Sequence, residues 1–126
     1  MRIFGILTAK KQTESEKRVG SIKRSVRYKD IREDLNDQLE HSGYSSKHTI
    51  DLVEDYMNLW ITKQLLVEDI HERGVRVKYD NGGGQCGYKK NESVDQIIKV
   101  NAQMLKLLTE LHLSPSDAEG DMDDVL

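Results

Sequence analysis

The sequence predicts a mainly α fold: a helical hairpin core, a short β-hairpin or Gly-rich loop between its two long helices, and a short N-terminal helix. Three observations predict it. The stretches Thr49 to Arg73 and Val94 to Leu113 carry apolar residues at helical spacing. The run Asp80-Asn81-Gly82-Gly83-Gly84 separates them with turn-forming residues. The second stretch closes at Leu113-Ser114-Pro115, where proline stops a helix.

Residues 1–29 lack sustained helical periodicity and read as a basic flexible arm, with a nascent helix from Glu14 to Arg27. Its cations are Arg2, Lys10, Lys11, Lys17, Arg18, Lys23, Arg24, Arg27 and Lys29, against only Glu14 and Glu16. Such a block suits the phosphates of nucleic acid, and Lys17, Arg18, Lys23, Arg24, Arg27 and Lys29 are the candidate DNA contacts. Asp30 followed by Glu33 reads as a helix start, because the Asp oxygen can cap open amides while Glu reaches back. Ile31, Leu35 and Leu39 then share a stripe, and Ser42-Gly43 closes the short helix.

The second helix is long and widely apolar. Val53, Met57, Trp60 and Val67 share one face, Leu52, Tyr56, Leu59, Leu66 and Ile70 an adjoining one, and Ile61 and Leu65 widen the arc. One neighbour needs an arc of only about 100°, so this helix has neighbours on two sides. Gly74 is placed as the left-handed residue beyond its end. Val75, Val77 and Tyr79 alternate with Arg76 and Lys78, the period of a half-buried strand, and Gln85 to Lys89 can return it. Ser93 and Gln96 form a capping box for the last helix, whose buried face is marked by Val94, Ile97, Ile98, Met104, Leu105, Leu108 and Leu111. Asn101 falls within that apolar stripe. It either fixes register and oligomeric state or satisfies a local group inside one subunit.

The chain has 126 residues, 37 % hydrophobic and 33 % charged, and a formal net charge of −3, enough for one domain plus tails. We divide it into the arm (1–29), a helical oligomerisation domain (30–115) and an acidic tail (116–126) with Asp117, Glu119, Asp121, Asp123 and Asp124 as its charges. A single cysteine, Cys86, forbids an internal disulfide and fits a reducing compartment. Ile3 to Leu7 is too short for a signal-peptide core or a membrane span. The expectation is a soluble cytosolic protein.

The residues do not build an enzyme. Gly82, Gly84 and Gly87 satisfy G-x-G-x-x-G, but the strand before them is charged and the helix opens several residues late, so helix amides would not face a pyrophosphate. Tyr88-Lys89 stands where a P-loop needs Lys and Ser or Thr. His41, His48, His71 and His112 are scattered without zinc-ligand spacing, and Cys86 has no base partner. No cofactor, metal ligand or catalytic residue is expected. The short helix, its turn and the second helix imitate a helix-turn-helix, yet the second is too long and apolar to be a recognition helix.

One resemblance organises these features. Tyr56-Met57-x-x-Trp60, then Leu65-Leu66-Val67-Glu68-Asp69-Ile70 closing at Gly74, then a Gly-containing insertion, come in order. Asn101-Ala102-Gln103-Met104-Leu105-Lys106-Leu107-Leu108 and Leu111-His112-Leu113-Ser114-Pro115-Ser116 follow. Together, over Ile50 to Ser116, they resemble the small subunit of the terminase of tailed bacteriophages. Many relatives have Gly where His112 stands and a basic residue near Asp117, departures that leave the subgroup open. The resemblance implies a non-catalytic DNA-packaging factor in the host cell cytoplasm. It implies a ring-shaped homo-oligomer that binds double-stranded viral DNA at the packaging start and engages the large subunit, which holds the ATPase and nuclease. On this reading the two long helices assemble the oligomer, through Tyr56, Trp60, Asn101, Leu105 and Leu108. The alternative is a small helical regulator or adaptor acting through protein contacts without DNA.

Overall fold

Thr13 starts the first helix. Its hydroxyl accepts from the Glu16 amide (3.1 Å), and the Glu16 carboxylate accepts from the Thr13 amide (3.3 Å). The computed structural model describes residues 11–113. Within them helix α1 spans Glu14–Arg24 and α2 spans Val26–Ser42, with Ser25 extended between them (φ −68°, ψ 148°). The Ser25 hydroxyl donates to the Ile22 carbonyl (2.6 Å) and accepts from the Tyr28 amide (3.3 Å), so one residue ends one helix and caps the next.

Two expectations change here. The short helix starts at Val26 rather than at Asp30, because Ser25 is the cap and Asp30 already lies inside the helix. The described part of the expected flexible arm is helical and docked. Ile22 is 4 % exposed, and Tyr28 is buried against Trp60 with ring centroids 6.0 Å apart. Val19, Ile22 and Tyr28 are too sparse for a visible period, yet they suffice to seat α1 on the helices behind it.

Leu35 and Leu39 bury the α2 stripe, with Ile31 half-buried beside them. Gly43 takes the left-handed conformation (φ 81°). Its amide donates to the Glu40 carbonyl and the Tyr44 amide to that of Leu39, the paired closure of a Schellman turn. Ser46 caps α3, Lys47–Arg73, the central helix. Its Val53, Met57, Trp60 and Ile61 are buried. α1 and α2 pack on one part of its circumference and the last helix on another, so its wide apolar arc does serve neighbours on two sides.

Gly74 has the expected positive φ (85°) but an extended ψ (177°), which leads straight into a strand. Strands β1, Arg76–Asp80, and β2, Cys86–Lys90, pair antiparallel with Arg76 opposite Lys90 and Lys78 opposite Tyr88. Of the expected inward set only Val77 is half-buried, while Val75 and Tyr79 are exposed. The ribbon stands off the helices with little covering either face.

The last helix, α4, spans Glu92–Glu110 and is capped by Asn91 instead of the expected Ser93-Gln96 box. Asn91 Oδ1 accepts from the Ser93 amide (3.0 Å), leaving the Ser93 hydroxyl to turn toward α3. At the other end α4 stops before the expected Leu113-Ser114-Pro115. His112 adopts φ 58°, its amide donates to the Thr109 carbonyl and the Leu113 amide to that of Leu108. A second Schellman turn therefore ends the helix. Ser114, Pro115 and the acidic tail lie outside the described residues. Met104 and Leu111 complete a core shared by all four helices.

Candidate nucleic-acid interface

α1 and α2 run antiparallel to α3, and two ion pairs fix the direction. Arg18 donates through Nε to both carboxylate oxygens of Glu68 (2.8 and 3.1 Å) and also through Nη2, while Arg32 Nε meets Glu54 Oε1 at 2.5 Å. Arg18 and Lys17 consequently sit toward the C-terminal end of α3, and Arg27 farther back, near Trp60. The Arg18 hydrogen bond holds the Glu68 carboxyl below the ordinary carboxylate range.

The six candidate DNA contacts thus divide. Arg18 is committed to Glu68, and Lys17 lies 3.5 Å from Glu14. Lys23, Arg24, Arg27 and Lys29 are exposed and form no ion pair among the described residues. On α1, Lys17 and Arg24 are seven residues apart, two turns on one face, and that face lies away from buried Ile22. A shallow cleft between α1, α2 and α3 gathers Arg18, Arg27, Ser21, Ser25 and Gln64 above the Trp60 ring. Guanidinium, hydroxyl and amide groups together can hold a phosphate oxygen without a metal.

A second polar cluster fastens the base of the hairpin. Asp69 on α3 accepts from Arg73 Nε and Nη2 (2.7 and 2.8 Å), from the Ser93 hydroxyl (2.6 Å) and from Asn91 Nδ2 (3.2 Å). Asn91, fully buried, also donates to the Gly74 carbonyl (2.9 Å), and its amide N–H donates to that of Val75 (2.8 Å). The Arg73 and Ser93 hydrogen bonds hold the Asp69 carboxyl far below its ordinary value. Four hydrogen bonds on one ionised carboxylate make a structural clasp. Helical spacing gives no sign of this role for Asp69, which only the capping of α4 by Asn91, eighteen residues after Arg73, reveals.

Gly87 lies inside β2 rather than at a helix start, so the glycine motif has no dinucleotide geometry. Among the described residues no three His, Cys, Asp or Glu side chains gather as a metal site, and no helix is long and apolar enough to cross a membrane. The face of α3 left exposed between its neighbours carries Asp51, Asp55, Asn58 and Thr62, two carboxylates and no cation, which does not suit a recognition helix.

The family model for the phage terminase small subunit matches residues 29–120. The chain belongs to that family. No curated protein and no solved structure matches it. Membership gives the chain a role in phage DNA packaging. The match begins at Lys29, so α1 and its cations lie outside it, while α3, the hairpin and α4 lie inside.

Within this terminase small-subunit chain the five residues expected to assemble it fall in different places. Trp60 is buried in the subunit's own core against Tyr28. Tyr56, Asn101 and Leu108 are half-buried, and Leu105 is 59 % exposed. Sequence spacing missed that α4 carries two seams. Met104 and Leu111 are buried, and Val100 and Leu108 pack against the core. Ile98 and Leu105, 63 % and 59 % exposed, form with half-buried Val94 and Asn101 an adjoining outer seam, its residues alternately four and three apart.

Proposed function

We propose that this small subunit binds double-stranded viral DNA at the packaging start through the cations of α1 and early α2. In this reading it assembles, through the outer seam of α4, into a ring-shaped homo-oligomer in the host cytoplasm. It presents bound DNA to the large subunit, which carries the ATPase and nuclease, and does no chemistry itself. The observation that carries this is Lys23, Arg24, Arg27 and Lys29, four exposed cations on a docked helical segment. Cations fixed on a rigid element meet phosphates with less ordering entropy than cations on a flexible arm. The acidic tail is the proposed docking segment for the large subunit.

Phosphate contact gives affinity and salt dependence but little sequence preference. Selection of the packaging start therefore rests on base contacts or on DNA bent around the assembly. The test is substitution rather than truncation, since Ile22 and Tyr28 belong to the core. Changing Lys23, Arg24, Arg27 and Lys29 together to Ala should weaken duplex binding, reduce its salt dependence and leave thermal unfolding within a few degrees of the parent. Undiminished affinity at low salt would refute the assignment, and a wild-type chain that shifts no DNA at all would favour the protein-only adaptor.

A further inference from the structure

The β-hairpin carries a second charged surface that the proposed function does not use. The stretch from Arg76 to Lys90 has four cations, Arg76, Lys78, Lys89 and Lys90, and one carboxylate, Asp80, in a chain of net charge −3. The register sorts them by face. Arg76, Lys78 and Asp80 share a face with their cross-strand partners Lys90, Tyr88 and Cys86. All six are exposed, whereas the opposite face contains the two half-buried positions, Val77 and Gly87. The outward face is thus the basic one.

This face is built against local stability. Arg76 stands directly opposite Lys90, and like charges across a ladder repel. Tyr88 is 65 % exposed in the same patch. An isolated two-stranded hairpin is marginal in water, and here the Asp69–Asn91 clasp holds its base. Lys90 reaches Asp95 at 2.7 Å, but both side chains are more than half exposed, so that pair is weak and exchangeable. Asp80 accepts from the Gly82 amide (2.8 Å), which occupies the patch's carboxylate within the turn. Its Gly82, Gly83 and Gly84 all take positive φ and present no side chain to an approaching partner.

We propose that the outward face of this hairpin is a second contact surface for double-stranded DNA, with Arg76, Lys78 and Lys90 on phosphates and Tyr88 as a hydroxyl donor. This rests on the reading that the chain binds DNA, and it adds a separate surface to it. A two-stranded ribbon, its strands about 4.8 Å apart, fits a major groove about 12 Å wide. The position suits simultaneous contact with α1. Arg18 is tied to Glu68, and the hairpin leaves α3 after Arg73, five residues and about 7.5 Å of helix rise farther on. The free cations Lys23, Arg24, Arg27 and Lys29 follow from Arg18 back toward Trp60, so a duplex that meets both surfaces runs lengthwise along α3.

The test compares variants of the full chain on a labelled duplex across about 50 to 200 mM salt. Arg76→Ala with Lys78→Ala should lower the slope of log affinity against log salt by about 0.9 for each phosphate no longer neutralised. Lys78→Glu should weaken binding further, and Tyr88→Ala should weaken it several-fold. Lys89→Ala, on the opposite face, should change little. Cys86, exposed on the basic face, supplies an independent readout, since saturating duplex should slow its alkylation several-fold. If slope and alkylation rate are unchanged by these variants and by duplex while the α1–α2 substitutions still reduce binding, the hairpin surface is refuted and the DNA-binding reading stands. In that case the cations only keep exposed strand edges from pairing. If the wild-type chain binds no duplex, both readings fall.

Discussion

His112 shows how one side chain can carry a strained backbone. A non-glycine residue in the left-handed region costs about 1–2 kcal/mol, and His112 occupies it at φ 58° to close α4. Its ring stacks on Tyr44, centroids 4.5 Å apart and planes 18° from parallel, an arrangement contributing about 0.5–1.5 kcal/mol. Tyr44 itself follows Gly43 in the Schellman turn of α2, so the two helix ends hold each other. His112→Gly removes the strain and the stack together and should leave stability within about 1 kcal/mol of the parent. In a Tyr44→Ala background, where the stack is already gone, the same change should stabilise by about 1 kcal/mol. Urea unfolding of the four variants measures the coupling, and equal effects of His112→Gly in both backgrounds would show that the stack contributes nothing.

At the scale of elements, the Asp69 clasp joins α3, the hairpin and α4, and it makes the joint sensitive to acid. The folded chain holds the Asp69 carboxyl below its ordinary 3.8 through Arg73, Ser93 and Asn91. The folded state therefore takes up that proton less readily than the unfolded chain. The stabilisation is complete above the ordinary value and is lost as pH falls below it. Glu68, lowered from 4.5 by Arg18, adds to the same loss and loosens α1. Asp69→Asn should be less stable than the parent at neutral pH, and the gap between the two should begin to close as pH drops below about 4 and keep closing in stronger acid. A constant gap across the titration would show that the carboxylate's charge does not matter. The clasp also explains which elements could be read from sequence. The periodicity of Val53, Met57, Trp60 and Ile61 announced α3, and the glycines announced the hairpin, because each signal is local. Ser25 and Asn91 were missed as caps because stronger-looking pairs, Asp30 with Glu33 and Ser93 with Gln96, lay within a few residues. The site was legible only as charge. That the α1–α2 cations ride on a docked helix depends on Ile22 and Tyr28 meeting α3, a tertiary event with no sequence period.

For the whole molecule, the separation of core from outer seam distinguishes folding from assembly. Trp60 is interior, and Trp60→Ala should lose about 3–5 kcal/mol of subunit stability, whatever the oligomeric state. Leu105 and Ile98 are 59 % and 63 % exposed within the subunit, so a charge there leaves the fold intact. Leu105→Lys should melt near the parent temperature yet scatter light at the mass of a smaller species. Asn101→Leu should shift subunit stoichiometry if its amide fixes register across the seam, and leave it unchanged if the amide serves one subunit. On the proposed function, assembly feeds back on DNA. Each subunit then offers a weak set of phosphate contacts, and linking several sets on one duplex raises avidity by about 10²–10⁴ without any new contact. The Leu105→Lys chain, with every DNA-facing cation retained, should therefore lose at least about a hundredfold in affinity, with a shallower salt slope. Dissociation with unchanged affinity would mean that one subunit binds DNA unaided, and that the outer seam serves a purpose other than gathering cations along the duplex.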